Sequence, residues 1–160
     1  MTTALHTDRL VLRSWTAADV TAVVDGVRSA QWAEDFPAEG DQVIAGLLAD
    51  HLGWLGPYGH RLVVERETGL VVGSIGLFWP PADGSVEIGY GILASRRGRG
   101  YAAEATRALT AHALAAPGVH AVRAGVELAN PASIRVLEKD GFGLAHTDQQ
   151  QGTAVYRTTG

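Results

Sequence analysis

The sequence predicts an α/β (α+β) fold. It reads as one domain over residues 1–160, with a mixed, mostly antiparallel sheet of about six or seven strands and helices on both faces. Three observations carry this expectation. Short alternating or apolar runs recur between turn signals, the mark of strands. Other runs space their apolar residues as helices do, with start and stop residues around them. Their order is strand, two helices, three strands, helix, strand, helix, two strands. That order puts antiparallel hairpins ahead of a strand–helix–strand unit, so the sheet is not all-parallel.

Each element has a local reason. RLVLRSW (9–15) alternates apolar and polar residues and reads as a strand. Thr16 and Asp19 form a capping-box pair ahead of Val20, Val23, Val24 and Val27, which share a helix face. QWAEDFPAEG (31–40) breaks that helix. Asp41 then offers a cap for a second helix with Ile44, Leu47, Leu48 and Leu52 facing inward, ended by GPYG (56–59). RLVVER (61–66), LVVGSIGLFW (70–79) and SVEIGYGIL (85–93) are strands, joined by ETG and PPADG turns. A helix runs from about Tyr101 to Ala116 and stops at Pro117-Gly118, followed by the strand VHAVRAGVEL (119–128). The helix in NPASIRVLEKDGF (130–142) has Asn130 at its cap, Pro131 first and Gly141 just past its end. FGLAHTD and TAVYRT form a last hairpin around QQQG.

Composition narrows the function. Hydrophobic residues make up 46% and charged residues 19%, a globular balance. The formal net charge of −4 argues against a nucleic-acid partner. The absence of cysteine excludes disulfides, thiolate metal sites and a cysteine nucleophile, and fits a reducing compartment. The six histidines show no metal-ligand spacing, so no metal is expected. The first residues carry charge where a signal peptide needs an apolar run, and nothing approaches the ~18 apolar residues of a membrane span. A soluble, cytoplasmic protein with no membrane partner is expected.

The most informative stretch is SRRGRGYAAEA, residues 95–105. Gly98-Arg99-Gly100-Tyr101-Ala102-Ala103 fits the G-x-G-x-x-A dinucleotide fingerprint, a weak signal alone. About sixty residues follow it, too few for the parallel strands a dinucleotide fold needs. A kinase-type P-loop is absent, since no Gly-Lys pair occurs. The underlying physics remains. Unpaired N–H groups and the dipole at a helix start, with Arg96, Arg97 and Arg99 alongside, suit a pyrophosphate. A solvated basic turn is the bland alternative.

RGRGYAAEA after EIGYGIL, followed by NPASIRVLEKDGF, resembles the GNAT superfamily of acetyl-CoA-dependent N-acetyltransferases, most of all its RimJ/RimL-like, ribosomal-protein N-terminal branch. The family pyrophosphate motif Q/R-x-x-G-x-G/A reads here Ser95-Arg96-Arg97-Gly98-Arg99-Gly100, with Ser in the first place. The resemblance implies acetyl-CoA as cosubstrate, an amine as acceptor and direct attack without an acyl-enzyme. It puts Ile92 and Ala94 on the pantetheine arm, along a locally splayed strand. Arg97, Gly98, Arg99, Gly100, Tyr101 and Ala102 fall to the pyrophosphate, and Asn130 to pantetheine. Many members carry a Tyr acid where this chain has Leu137. The RimJ/RimL-like branch carries a Ser, here Ser133, as proton donor or thiolate partner. A homodimer is also common among relatives.

Glu87 is the candidate base. It shares a strand face with Gly89, Gly91 and Leu93, while Val86, Ile88, Tyr90 and Ile92 take the other, and glycine in a strand marks a close approach. A solvent-facing carboxylate is its plainer reading, as first-turn propensity is for Ser133. His60 opens a strand near the cleft. Trp32, Phe36, Trp54 and Tyr58 are core residues or pocket walls; Glu34, Asp35, Glu39 and Asp41 form a solvated loop or attract an amine. Two other classes stay open: a catalytically inactive acyl-CoA-binding regulatory module, and a dinucleotide-binding oxidoreductase.

Overall fold

The computed structural model describes residues 4–160. One eight-stranded sheet runs β1 (Leu5–His6), β2 (Leu10–Ser14), β3 (His60–Glu65), β4 (Val71–Ala82), β5 (Ser85–Ile92), β6 (Ala121–Glu127), β8 (Thr153–Thr158), β7 (Gly143–Asp148). Every neighbouring pair is antiparallel except β5–β6. The extra strand beyond the expected number is β1, two residues paired with Val11 and Leu12 and too short to leave a periodicity.

Helix α1 (Ala17–Asp25) starts at Thr16 with the expected capping box, Thr16 and Asp19 exchanging hydrogen bonds. Of the four valines expected on one face, only Val20 and Val23 are buried; Val24 is exposed, and Val27 is exposed beyond the helix, which ends at Gly26 in the left-handed conformation. Helix α2 (Glu39–Asp50) is capped by Ala38, not Asp41. Asp41 sits one turn in, accepts the Ala38 N–H at 2.9 Å, and is buried against Ser74. Ala45 and Leu48 complete its inner face, while Leu47 and Leu52 are exposed. The PPADG segment is mostly strand. β4 runs to Ala82 through an irregular register, and Asp83-Gly84 alone make the turn, both at positive φ.

Helix α3 (Tyr101–Leu114) and α4 (Pro131–Lys139) pack together, and α3 also packs on β5. Asn130 caps α4 through the Ser133 N–H at 3.2 Å, and Pro131 occupies its first turn. Even-numbered β5 residues face these helices, as Tyr90 reaching Ser133 shows. Odd-numbered ones face α2, because Ser74, opposite Gly91 in β4, donates its hydroxyl to Asp41 of α2.

The sheet opens at its one parallel junction. β5 and β6 pair only at Ser85–Ala121, Val86–Val122 and Glu87–Arg123. Beyond Glu87 the strands diverge, so residues 88–92 present an edge of backbone N–H and C=O groups with no β6 partner.

Candidate active site

Two cavities meet on β5. The larger, of 560 Å³, lies on the α3–α4 side, lined by Ile92, Arg97, Gly98, Gly100, Tyr101, Ala102, Asn130 and Ser133 among the expected residues. The smaller, of 360 Å³, lies on the α2 side, over Gly89 and Gly91 and beneath Asp41 and His60. Tyr90, Gly91, Ile92 and Arg97 line both.

The glycine loop has the shape its residues require. Gly98 and Gly100 take φ of 79° and 82°, left-handed values that L side chains avoid. Gly100 caps α3, and the Glu104 N–H is the first to find a helical partner, Gly100 O at 3.1 Å. The N–H groups ahead of it are those a helix leaves unpaired, and the dipole makes them a seat for an anion.

The loop's charge differs from the sequence expectation. Arg96 and Arg99 reach Glu65 on β3, each with a contact at 3.3 Å, and Arg96 also reaches Glu34. The Glu65 side chain is 1% exposed and further accepts the hydroxyls of Tyr101 and Thr68, each at 2.8 Å. Burial alone would raise its carboxyl, but these hydrogen bonds and the Arg96 guanidinium hold it below the ordinary glutamate value. Asp35 takes both the N–H and the hydroxyl of Ser95, so the residue in the family's Q/R position is clamped to the acidic loop. That loop is therefore not simply solvated: Glu34 and Asp35 hold residues 95 and 96. The cations left facing the larger cavity are Arg97, Arg135 and Lys139, none in a salt bridge among the described residues.

Several expected residues lie off the cavities. The Arg99 side chain turns to Glu65, and only its backbone stays with the loop. Ala94 begins a short 3₁₀ turn, its carbonyl accepting the Arg97 N–H, and lines neither cavity. The Ile92 carbonyl receives Arg97 Nε at 3.3 Å. Glu87 is partly exposed on the face of Gly89 and Gly91, opposite Phe78 in β4, and lines neither cavity. Ser133 stands in the first turn of α4, its Oγ 2.7 Å from the Tyr90 hydroxyl. Trp32 and Phe36 are core, and Trp54 stands behind His60 at 5.9 Å.

The smaller cavity has its own polar pair. His60 lies over Gly76, whose missing side chain makes room for the ring. Burial pushes its pKa down to about 4, and Nε2 has no partner among the described residues. Burial raises the Asp41 carboxyl, against hydrogen bonds from Ser74 at 2.6 Å and Ala38. A neutral imidazole and a buried carboxyl together suit an amine better than an anion.

A family model described as an acetyltransferase (GNAT) domain matches residues 9–143. The chain belongs to the GNAT acetyltransferase family. The GNAT chain is 33% identical over 98 residues to YjdG of Bacillus subtilis strain 168, described as an uncharacterized N-acetyltransferase; the match spans 61% of this chain and 58% of YjdG. An acetyltransferase of Agrobacterium tumefaciens superposes with a TM-score of 0.70 at 27% identity, over 99% of this chain and 95% of its own. The fold is also that of RimL, a ribosomal L7/L12 α-N-protein acetyltransferase solved with coenzyme A. Its TM-score is 0.71 at 18% identity, with 98% of both chains covered.

Proposed function

We propose that this GNAT chain transfers the acetyl group of acetyl-CoA to a primary amine by direct attack, with a protein N-terminus as the acceptor class. One observation carries the reading. The open β5 edge, the glycine loop and Ser133 surround one cavity, and an amine-sized second cavity meets it across the same strand.

Acetyl-CoA, when bound, supplies the thioester. The N–H groups of residues 98–102 and Arg97 hold the pyrophosphate, with Arg135 and Lys139 nearby for further phosphate. The backbone of residues 89–92 pairs with the pantetheine arm as an added strand, and Asn130 steadies it. Asp41 and His60 receive the amine over Gly89 and Gly91. Glu87, free of any salt bridge among the described residues, takes its proton through water. Ser133 faces the departing sulfur.

The test is titration calorimetry with acetyl-CoA beside NAD and ATP, followed by free-thiol release with short peptides and small amines. Saturable binding of acetyl-CoA alone, weakened about tenfold or more by Arg97→Ala, is expected. Thiol release that depends on Glu87 and Ser133 separates an enzyme from an inactive module. Binding of NAD in preference to acetyl-CoA refutes the proposal.

A further inference from the structure

We propose that Tyr90 is the proton source behind Ser133, so that the two hydroxyls form a relay to the departing sulfur. This rests on the acetyl-transfer reading. The Tyr90 hydroxyl lies 2.7 Å from Ser133 Oγ and 3.2 Å from the Ser133 carbonyl. The position is constrained from both sides. Ser133 is pinned by its N–H to the Asn130 cap, and Tyr90 belongs to the β5 segment that borders both cavities. Amine and thioester must meet at that border.

Acidity decides which hydroxyl supplies the proton. An aliphatic alcohol is a far weaker acid than a thiol, so Ser133 cannot end the reaction short of a proton. A phenol, at about 10, lies close to a thiol at about 8.5. Tyr90 is also kept protonated. Burial raises it and the nearby Asp140 carboxylate adds to this, against the opposing hydrogen bond with Ser133, so Tyr90 stays a donor but a weaker acid than the thiol, and the transfer completes as solvent returns a proton to it. The Tyr90 hydrogen has two acceptors, Ser133 Oγ at 2.7 Å and the Ser133 carbonyl at 3.2 Å; when it goes to the nearer, the Ser133 hydrogen is free to point at the sulfur. The chain thus places a phenol on β5 beside α4, whose own Leu137 is wholly buried and carries no hydroxyl.

The step balances. The amine nitrogen forms a bond to the acetyl carbon, and the carbon–sulfur bond breaks with its electron pair on sulfur. Ser133 gives its hydroxyl proton to sulfur and takes the Tyr90 proton. The proton lost by the amine passes through water to solvent, and solvent returns one to Tyr90.

The test needs no acceptor. The thiol pKa of bound CoA, followed by thiolate absorbance, reports hydrogen-bond donation to sulfur. Tyr90→Phe and Ser133→Ala should each raise it by about one unit, a tenfold change in acid dissociation, and the double variant by no more than either. CoA affinity measured by calorimetry should stay near wild type in Tyr90→Phe. A more acidic fluorinated tyrosine at position 90 preserves the shape and should lower the bound thiol pKa; it keeps the test open if Tyr90→Phe fails to fold. An unshifted pKa in Tyr90→Phe beside a shifted one in Ser133→Ala overturns the relay, as do additive shifts in the double variant. CoA that binds none of these proteins overturns the acetyl-transfer reading, and the relay with it.

Discussion

Glu65→Ala tests how the glycine loop is held. Its side chain is 1% exposed and gathers Arg96, Arg99, Tyr101 and Thr68. Removing it leaves the buried Tyr101 hydroxyl without an acceptor, a cost of about 1–3 kcal/mol. The Arg96 side chain, 12% exposed, loses its better partner, while Arg99, 48% exposed, returns to water at little cost. Together these come to about 3 kcal/mol, or roughly 6–12 °C in thermal midpoint for a domain this size. Acetyl-CoA binding feels two opposing effects. Freed arginines attract phosphate, but at the surface this is worth under about 1 kcal/mol. Loosening even two loop residues costs about 2–4 kcal/mol on binding, so the loss wins, and affinity should fall about tenfold or more. Glu65→Gln keeps an acceptor for Tyr101 and should lie between. Because the Glu65 carboxyl sits below its ordinary value, the stability it adds is present above about pH 4.3 and is lost as pH falls through the lower native value. The gap between wild type and Glu65→Gln should therefore close in acid. Thermal unfolding across pH and calorimetry read all of this. A Glu65→Ala protein that unfolds at the wild-type temperature and binds acetyl-CoA equally well refutes the reasoning.

Gly98→Ala should cost about 1–2 kcal/mol in denaturant unfolding through its φ of 79° alone, since an added methyl meets no atom within 4 Å. Gly76→Ala drives a methyl into the His60 ring, which is packed against Trp54 and Phe78. It should cost about 1–3 kcal/mol and raise the KM for the amine while leaving acetyl-CoA affinity alone. Asp41→Asn should change stability by less than about 1 kcal/mol at neutral pH, because burial already disfavours the charge. The raised carboxyl makes wild type gain stability as pH falls, so denaturant titrations should show any advantage of Asp41→Asn shrinking in acid.

What the sequence disclosed was local. The Thr16 and Asn130 caps, the glycine loop and the hairpins are set by residues within a few positions of one another, and the structure carries them. The alternation of β5 also assigned Tyr90 its correct face. What stayed hidden depends on distance along the chain. Glu65 meets Tyr101 across 36 positions and Asp35 meets Ser95 across 60, and no periodicity records such pairs. A count of arginines in the loop therefore overstated its free charge. Helical spacing likewise overstated burial along α1, because the helix stops at Gly26 in the left-handed conformation and Val27 lies beyond it. Asp41 shows a third limit: a carboxylate at a helix start reads as a cap, and only Ser74 on β4 reveals it as part of a cavity wall.

The central claim is that acetyl-CoA lies along the open edge of β5 with its pyrophosphate on the α3 start. Amide hydrogen exchange with and without acetyl-CoA tests it most directly. Slower exchange confined mainly to residues 89–92 and 98–102 is the predicted result. Saturable binding that leaves the exchange of both segments unchanged would contradict it.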